Sequence, residues 1–134
     1  MQALLLPIGP EWYAVDTAFA CEVVADPMVV PLPTAPPSVL GVFNLRGEIV
    51  PLFDAGTLLG VGGSADHPYA VVVDTELGQA ALAVHAVPEV AELGEQTGGA
   101  DLPGTVSTHA AGERLAVLLD VSALLAPARI GGRQ

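Results

Sequence analysis

Residues 47–60 read GEIVPLFDAGTLLG, and residues 112–126 read GERLAVLLDVSALLA. With one residue inserted in the second copy, both run Gly-Glu, an apolar stretch, an aspartate, and two leucines four and five residues after it. Each copy predicts a hairpin turn, a mostly apolar strand, and an aspartate that caps a short helix by accepting backbone N–H bonds. Asp54 and Asp120 are the predicted caps, and Leu58, Leu59, Leu124 and Leu125 are expected to dock those helices on the sheets. The duplication extends upstream. Leu4 to Leu6 with Trp12 to Val15, and Ala70 to Val73 with Ala80 to Val84, read as hairpins around polar turns. A Glu-Val pair follows each, Glu22-Val23 and Glu89-Val90.

Fifteen glycines and twelve prolines punctuate short Val, Leu and Ala runs in 134 residues. That pattern predicts an all-β chain of two small barrels or a sandwich. The expected division is subdomain 1 at about residues 3–60, a connector at 61–68, subdomain 2 at about 69–126 and a tail at 127–134. Two halves abutting along apolar edges create a groove, a natural partner site.

The net charge of -11, with four basic residues, argues against nucleic acid and anionic membranes as partners. No apolar run approaches the ~20 residues of a membrane span, so no membrane insertion is expected. Met1 to Leu6 meets Pro7 without a basic segment and reads as a strand rather than a signal peptide. The single Cys21 forms no internal disulfide, and the cytoplasm is the expected compartment.

The stretch Pro36 to Asp54, with GVFNLRG at its centre and IVPLFD at its end, resembles the CheW-like coupling proteins of bacterial chemotaxis. Tyr13 to Asp16 and Glu22-Val23 are similar to that family's upstream positions, and the likeness runs from about residue 3 to 126. The resemblance implies two SH3-like five-stranded barrels side by side, no catalysis and no cofactor. It implies an adaptor in two-component signalling, joining the helical cytoplasmic tip of a chemoreceptor to the CheW-like regulatory domain of the histidine kinase CheA. Receptor helices would lie in the groove between barrels and kinase contacts at barrel ends. The positions it marks for partner binding are Glu22, Gly41, Asn44, Arg46 and Gly47, with Ala20 where the family carries a larger aliphatic residue. A divergent adaptor of another chemosensory-type pathway, such as type IV pilus motility, is the alternative.

The second half departs from the family pattern. Ala81 to Val87 lacks the expected Gly and Asp, and the strand mirroring Gly41 to Leu45 reads as shortened to about Thr105 to His109.

Arg46 has two readings: an outward fork for a partner's carboxylate or carbonyl, or an internal pair with Glu48, Asp54 or another acid. The resemblance favours the first. Gly47 reads as a turn residue needing positive φ, Gly41 as a bulge or close backbone approach, and Glu22 as a solvated or partner-facing strand position.

An acid protease of duplicated halves is the enzyme rival, since VDTA at 15–18 and VDTE at 73–76 each carry an aspartate. Asp16 and Asp74 occupy non-equivalent places in the repeat, however, and Glu76 stands where a small residue is required. His67, His85 and His109 lack metal-ligand spacing, and Gly60 to Gly63 reads as linker rather than phosphate cradle. Ser107 and Ser122 have no His-Asp arrangement that spacing supports, and Cys21 reads as core. Trp12, Tyr13 and Phe53 are too scattered to stack bases.

Overall fold

The computed structural model describes residues 1–62, 68–100, 102 and 104–126. The tail at 127–134, His67 and most of the connector lie outside them. The strands are β1 (Gln2–Ile8), β2 (Glu11–Asp16), β3 (Ala20–Ala25), β4 (Val39–Leu45), β5 (Glu48–Asp54), β6 (Tyr69–Thr75), β7 (Gly78–Val84), β8 (Glu89–Glu92), β9 (Gln96–Gly99), β10 (Thr105–Ala111) and β11 (Arg114–Leu119). Helix α1 (Ala55–Leu59) follows β5, and α2 (Val121–Leu124) follows β11. Both predicted caps form: Asp54 accepts the Thr57 N–H at 3.3 Å, and Asp120 accepts the Ala123 N–H at 3.1 Å.

The strands make two sheets, ordered β3-β6-β7-β5-β4 and β8-β1-β2-β11-β10-β9. This corrects the expected division into residues 3–60 and 69–126, because each sheet takes strands from both halves. The repeats exchange their first hairpins: β6-β7 pairs with β3 and β5, while β1-β2 pairs with β8 and β11. The joining pairs are equivalent, with Leu52 opposite Ala81 on parallel β5 and β7, and Leu118 opposite Ala14 on parallel β11 and β2. Hydrophobic pattern marks a hairpin but not which sheet receives it, so the exchange left no mark in the pattern read from the sequence.

The exchange accounts for the unbroken runs LLL and VVV, since the hairpins are buried on both faces. Leu4, Leu6, Val71, Val73 and Leu82 face the core between the sheets, together with Leu58, Leu59, Leu124 and Leu125 of the short helices and their caps. Alternate residues face inward to their own barrels. Ala70, Val72, Ala81 and Ala83 join Phe43 and Val50, while Ala3, Leu5 and Ala14 join Leu93 and Ala116.

Each sheet curls until one continuous segment serves both of its edges. In the first, β3 lines β6, and five residues beyond its end Val30 bridges to Val42 of β4 with backbone bonds of 2.7 and 3.0 Å. In the second, β8 lines β1 and the same chain, bending through Gly94, becomes β9 against β10. Counting β8 and β9 as one bent strand, both are five-stranded barrels. They are called the Arg46 barrel and the Arg114 barrel below.

Strand β10 is not shortened. It has seven residues, as does β4, and it carries the equivalent bulge: the register slips between Thr105 and Ser107 as it does between Val39 and Gly41. Alanines are poor strand formers, which hid Ala110 and Ala111, yet pairing with β11 imposes the strand on them.

Candidate functional site at the barrel ends

Four of the five residues marked for partner binding meet at one end of the Arg46 barrel. Arg46 and Gly47 hold φ of +49° and +90°, the pair of positive values that a type I′ turn between β4 and β5 requires. Glycine takes this conformation freely, whereas arginine is strained in it. Asn44 Oδ1 accepts the Gly47 N–H at 2.9 Å and ties the turn from within.

The strained backbone aims the guanidinium across the barrel mouth at β3. Arg46 Nη1 donates to Glu22 Oε2 at 3.2 Å while Nη2 donates to Oε1, a two-pronged pair between the sheet's two edge strands. The Glu22 carboxylate raises the guanidinium's pKa, chiefly through these bonds and then through its charge. The Arg46 side chain remains 72% exposed and that of Glu22 30%. Of the two readings of Arg46, the internal pair is the one present: the acid that holds it is Glu22 rather than Glu48 or Asp54, and the group still faces solvent.

Gly41 lies apart from this turn. Its φ is +151°, and a Cβ there would sit 2.3 Å from the Val30 carbonyl oxygen, so it is the close approach that lets the barrel shut. The sequence reading of a bulge and close approach is correct.

The Arg114 barrel has an equivalent end that the sequence reading missed. By strand register, Glu89 opposite Leu5 corresponds to Glu22 opposite Val72. Arg114 Nη1 donates to Glu89 Oε2 at 3.1 Å, and its guanidinium carbon lies 4.2 Å from the centre of the Trp12 ring. By register the Gly112-Glu113 turn stands where Arg46-Gly47 does, so Arg114 takes the place of Glu48, an offset that aligning the two Gly-Glu pairs concealed.

Where the barrels meet, the β2-β3 turn, β10 and the β11-α2 junction enclose a groove of about 250 Å³, lined by Asp16, Phe19, Val106, Leu118, Val121 and Ser122.

Other sequence readings fare unevenly. Cys21 is exposed, not core, because it is the extra residue of a bulge in edge strand β3. Partial desolvation and then a hydrogen bond with Asp74 push its thiol pKa up. Ser107 does contact His109, Oγ to Nε2 at 2.7 Å, but it is buried, and the other ring nitrogen faces the Gly94 carbonyl at 3.2 Å rather than an acid. Asp16 and Asp74 lie in different sheets, and Asp16 accepts the Ala18 N–H of its own turn. Among the described residues no three His, Cys, Asp or Glu are grouped to hold a metal, and no helix is long and apolar enough to cross a membrane.

The model of the CheW-like domain matches residues 2–129. The chain belongs to the CheW-like family. It is 30% identical over 132 residues to the chemotaxis protein CheW of Klebsiella aerogenes, covering 91% of this chain and 80% of that one. A shorter match to the chemotaxis protein CheW of Treponema pallidum is 40% identical over 53 residues, 40% of this chain and 31% of the relative. The crystal structure of the scaffolding protein TtCheW from Thermoanaerobacter tengcongensis superposes with a TM-score of 0.82 at 21% identity, covering 93% of this chain and 92% of that one. The expected pair of SH3-like barrels is the fold, and the family is one of chemotaxis scaffolds and adaptors.

Proposed function

We propose that this chain is a non-enzymatic cytoplasmic adaptor that couples the helical tip of a chemoreceptor to the regulatory domain of the histidine kinase CheA. The observation that carries the reading is the Arg46 end: a tied turn holds a cation in a strained backbone, bonded to an acid yet largely exposed. Backbone strain kept at a surface turn is a mark of a working surface. The apolar groove beside Phe19 suits a receptor helix, whose side chains need a concave seat. Glu22, Asn44, Arg46 and Gly47 then act as one contact element, with Gly41 shaping the barrel beneath it.

The test is capture of the CheA regulatory domain and of a receptor tip by the purified chain. Arg46→Glu sets two carboxylates face to face at the mouth and is expected to abolish capture of at least one partner. The thermal midpoint should barely move, because an exposed pair adds little to stability. The double exchange Glu22→Arg with Arg46→Glu should restore part of the binding. Unaltered capture by Arg46→Glu, or a large loss of folding, would count against the reading.

A further inference from the structure

The two short helices hold equivalent places, but the chain leaves them differently. In the repeat Asp54 corresponds to Asp120, Gly56 to Ser122, Gly60 to Ala126, and the Gly9-Pro10 turn to Glu76-Leu77. After α1, Gly60 takes a φ of +75° and the Val61 N–H bonds to the Gly56 carbonyl at 3.0 Å. The chain thereby folds back over its own helix. Val61 packs against the core, 3.4 Å from where a Cβ on Gly9 would stand, and the Gly62 carbonyl oxygen fills the space that a Cβ on Gly56 would need. The opening left between the β1-β2 turn and α1 is about 20 Å³.

Beside α2 each of these contacts is rebuilt. Ser122 carries the Cβ that Gly56 lacks, and its hydroxyl accepts the Glu76 N–H at 3.3 Å. Ala126 has no positive φ, and the proline after it favours an extended exit from the helix. A cavity of about 270 Å³ is open here, lined by Thr75, Glu76, Leu77, Ser122, Leu125 and Ala126. It offers a carboxylate where the first copy has Gly9, and an apolar side chain, Leu77, that is 78% exposed. The residues next in the chain match that change. Pro127 to Gln134 hold Arg129 and Arg133, two of the four basic residues, with Ile130 between them and no acid, whereas all fifteen acids precede Ala126.

We infer that residues 127–134 are a basic strap seated in this cavity, with Arg129 on the Glu76 carboxylate and Ile130 over Leu77. Ala126 lines the cavity itself, and Arg129 is three residues further on, within ~10 Å of extended chain. So short a tether gives an effective concentration of order millimolar, at which weak contacts suffice. Exposed ion pairs are weak singly and screened by salt, so the strap is releasable. The segment of the same chain is favoured over that of a second copy, which would bring -11 against -11. Ser122 lines both this cavity and the groove beside Phe19. A seated strap therefore covers one end of that groove and lifts before a helix can fill it. This last step rests on the adaptor reading; the strap itself does not.

Amide NMR spectra of the full chain and of its Arg129→Gln, Arg133→Gln double variant test the seat. The Glu76, Leu77 and Ser122 signals should move in the variant, and move the same way when salt is added to the wild type. The exchange Glu76→Arg with Arg129→Glu should keep the signals of Leu77 and Ser122 near their wild-type positions. In calorimetric titration a receptor tip should bind the double variant about threefold more tightly, because no strap has to lift. Equal Glu76 and Leu77 signals in wild type and double variant overturn the inference. So do signals that shift with protein concentration, since another copy's segment would then fill the seat. Unchanged tip affinity beside changed signals overturns the covering of the groove. A wild-type chain that binds no receptor tip overturns the adaptor reading, while the spectra still decide the strap.

Discussion

The two barrel ends solve one problem with different parts. At one, Arg46 reaches Glu22 from a strained turn; at the other, Arg114 reaches Glu89 from a relaxed strand and lies over Trp12. Both pairs sit at register-equivalent acids, so closing the mouth with a Glu-Arg pair is a property of the plan. The backbone strain at Arg46 is not, since the Arg114 end manages without a positive φ at its arginine, although both pairs are exposed. What one end has and its counterpart does without is the part that folding of the plan does not require.

The largest expected effect that sharpens this comparison is at the bulges. Gly41 and Ser107 occupy the same place, opposite Leu52 and Leu118 respectively. Gly41→Val would set a Cβ against the Val30 carbonyl at a backbone angle that side chains rarely adopt. The expected cost is about 1–3 kcal/mol or more in urea unfolding, with the Val30–Val42 closure lost. Ser107→Gly should cost less, roughly 1 kcal/mol for the freed backbone and the lost hydroxyl bond. Equal costs at the two sites would break the comparison.

A smaller effect is expected at the Arg114 end. Arg114→Ala removes the stacked cation and should lower stability by about 0.5–1 kcal/mol. The only tryptophan of the chain is Trp12, so its emission should change with that substitution and stay constant in Arg46→Ala. A response to both would mean that the mouths are coupled.

The smallest effect concerns Cys21, beside Glu22 on the bulged edge. Its thiol pKa is raised by desolvation and by Asp74, so the folded chain favours the protonated form. Stability from this source is present below the unfolded thiol value and falls as pH climbs through the folded one. Iodoacetamide should therefore alkylate Cys21 more slowly at pH 8 than a free cysteine, despite its exposure. Alkylation at the free-thiol rate would show that desolvation and the Asp74 contact together leave the thiol unshifted.

Much of the site was legible because its parts are local. The Arg46-Gly47 turn, the two aspartate caps and the Gly41 bulge each follow from a few adjacent residues and the backbone angles they favour. The acid that meets Arg46 was not legible among fifteen, because Glu22 lies 24 residues away and nothing in spacing selects it. Arg114 was hidden for a related reason: its partners are Trp12 and Glu89, from two other strands.

By itself, the sequence determined the strands, the turns, the short helices and the duplication that organises them, since each depends on residues within one or two turns of chain. Tertiary structure alone decided which hairpin joined which barrel, which acid met which arginine, and which apolar side chains were left outside. Those choices depend on how buried surfaces fit together, and a strand's own pattern of apolar residues is the same whichever neighbour it finds.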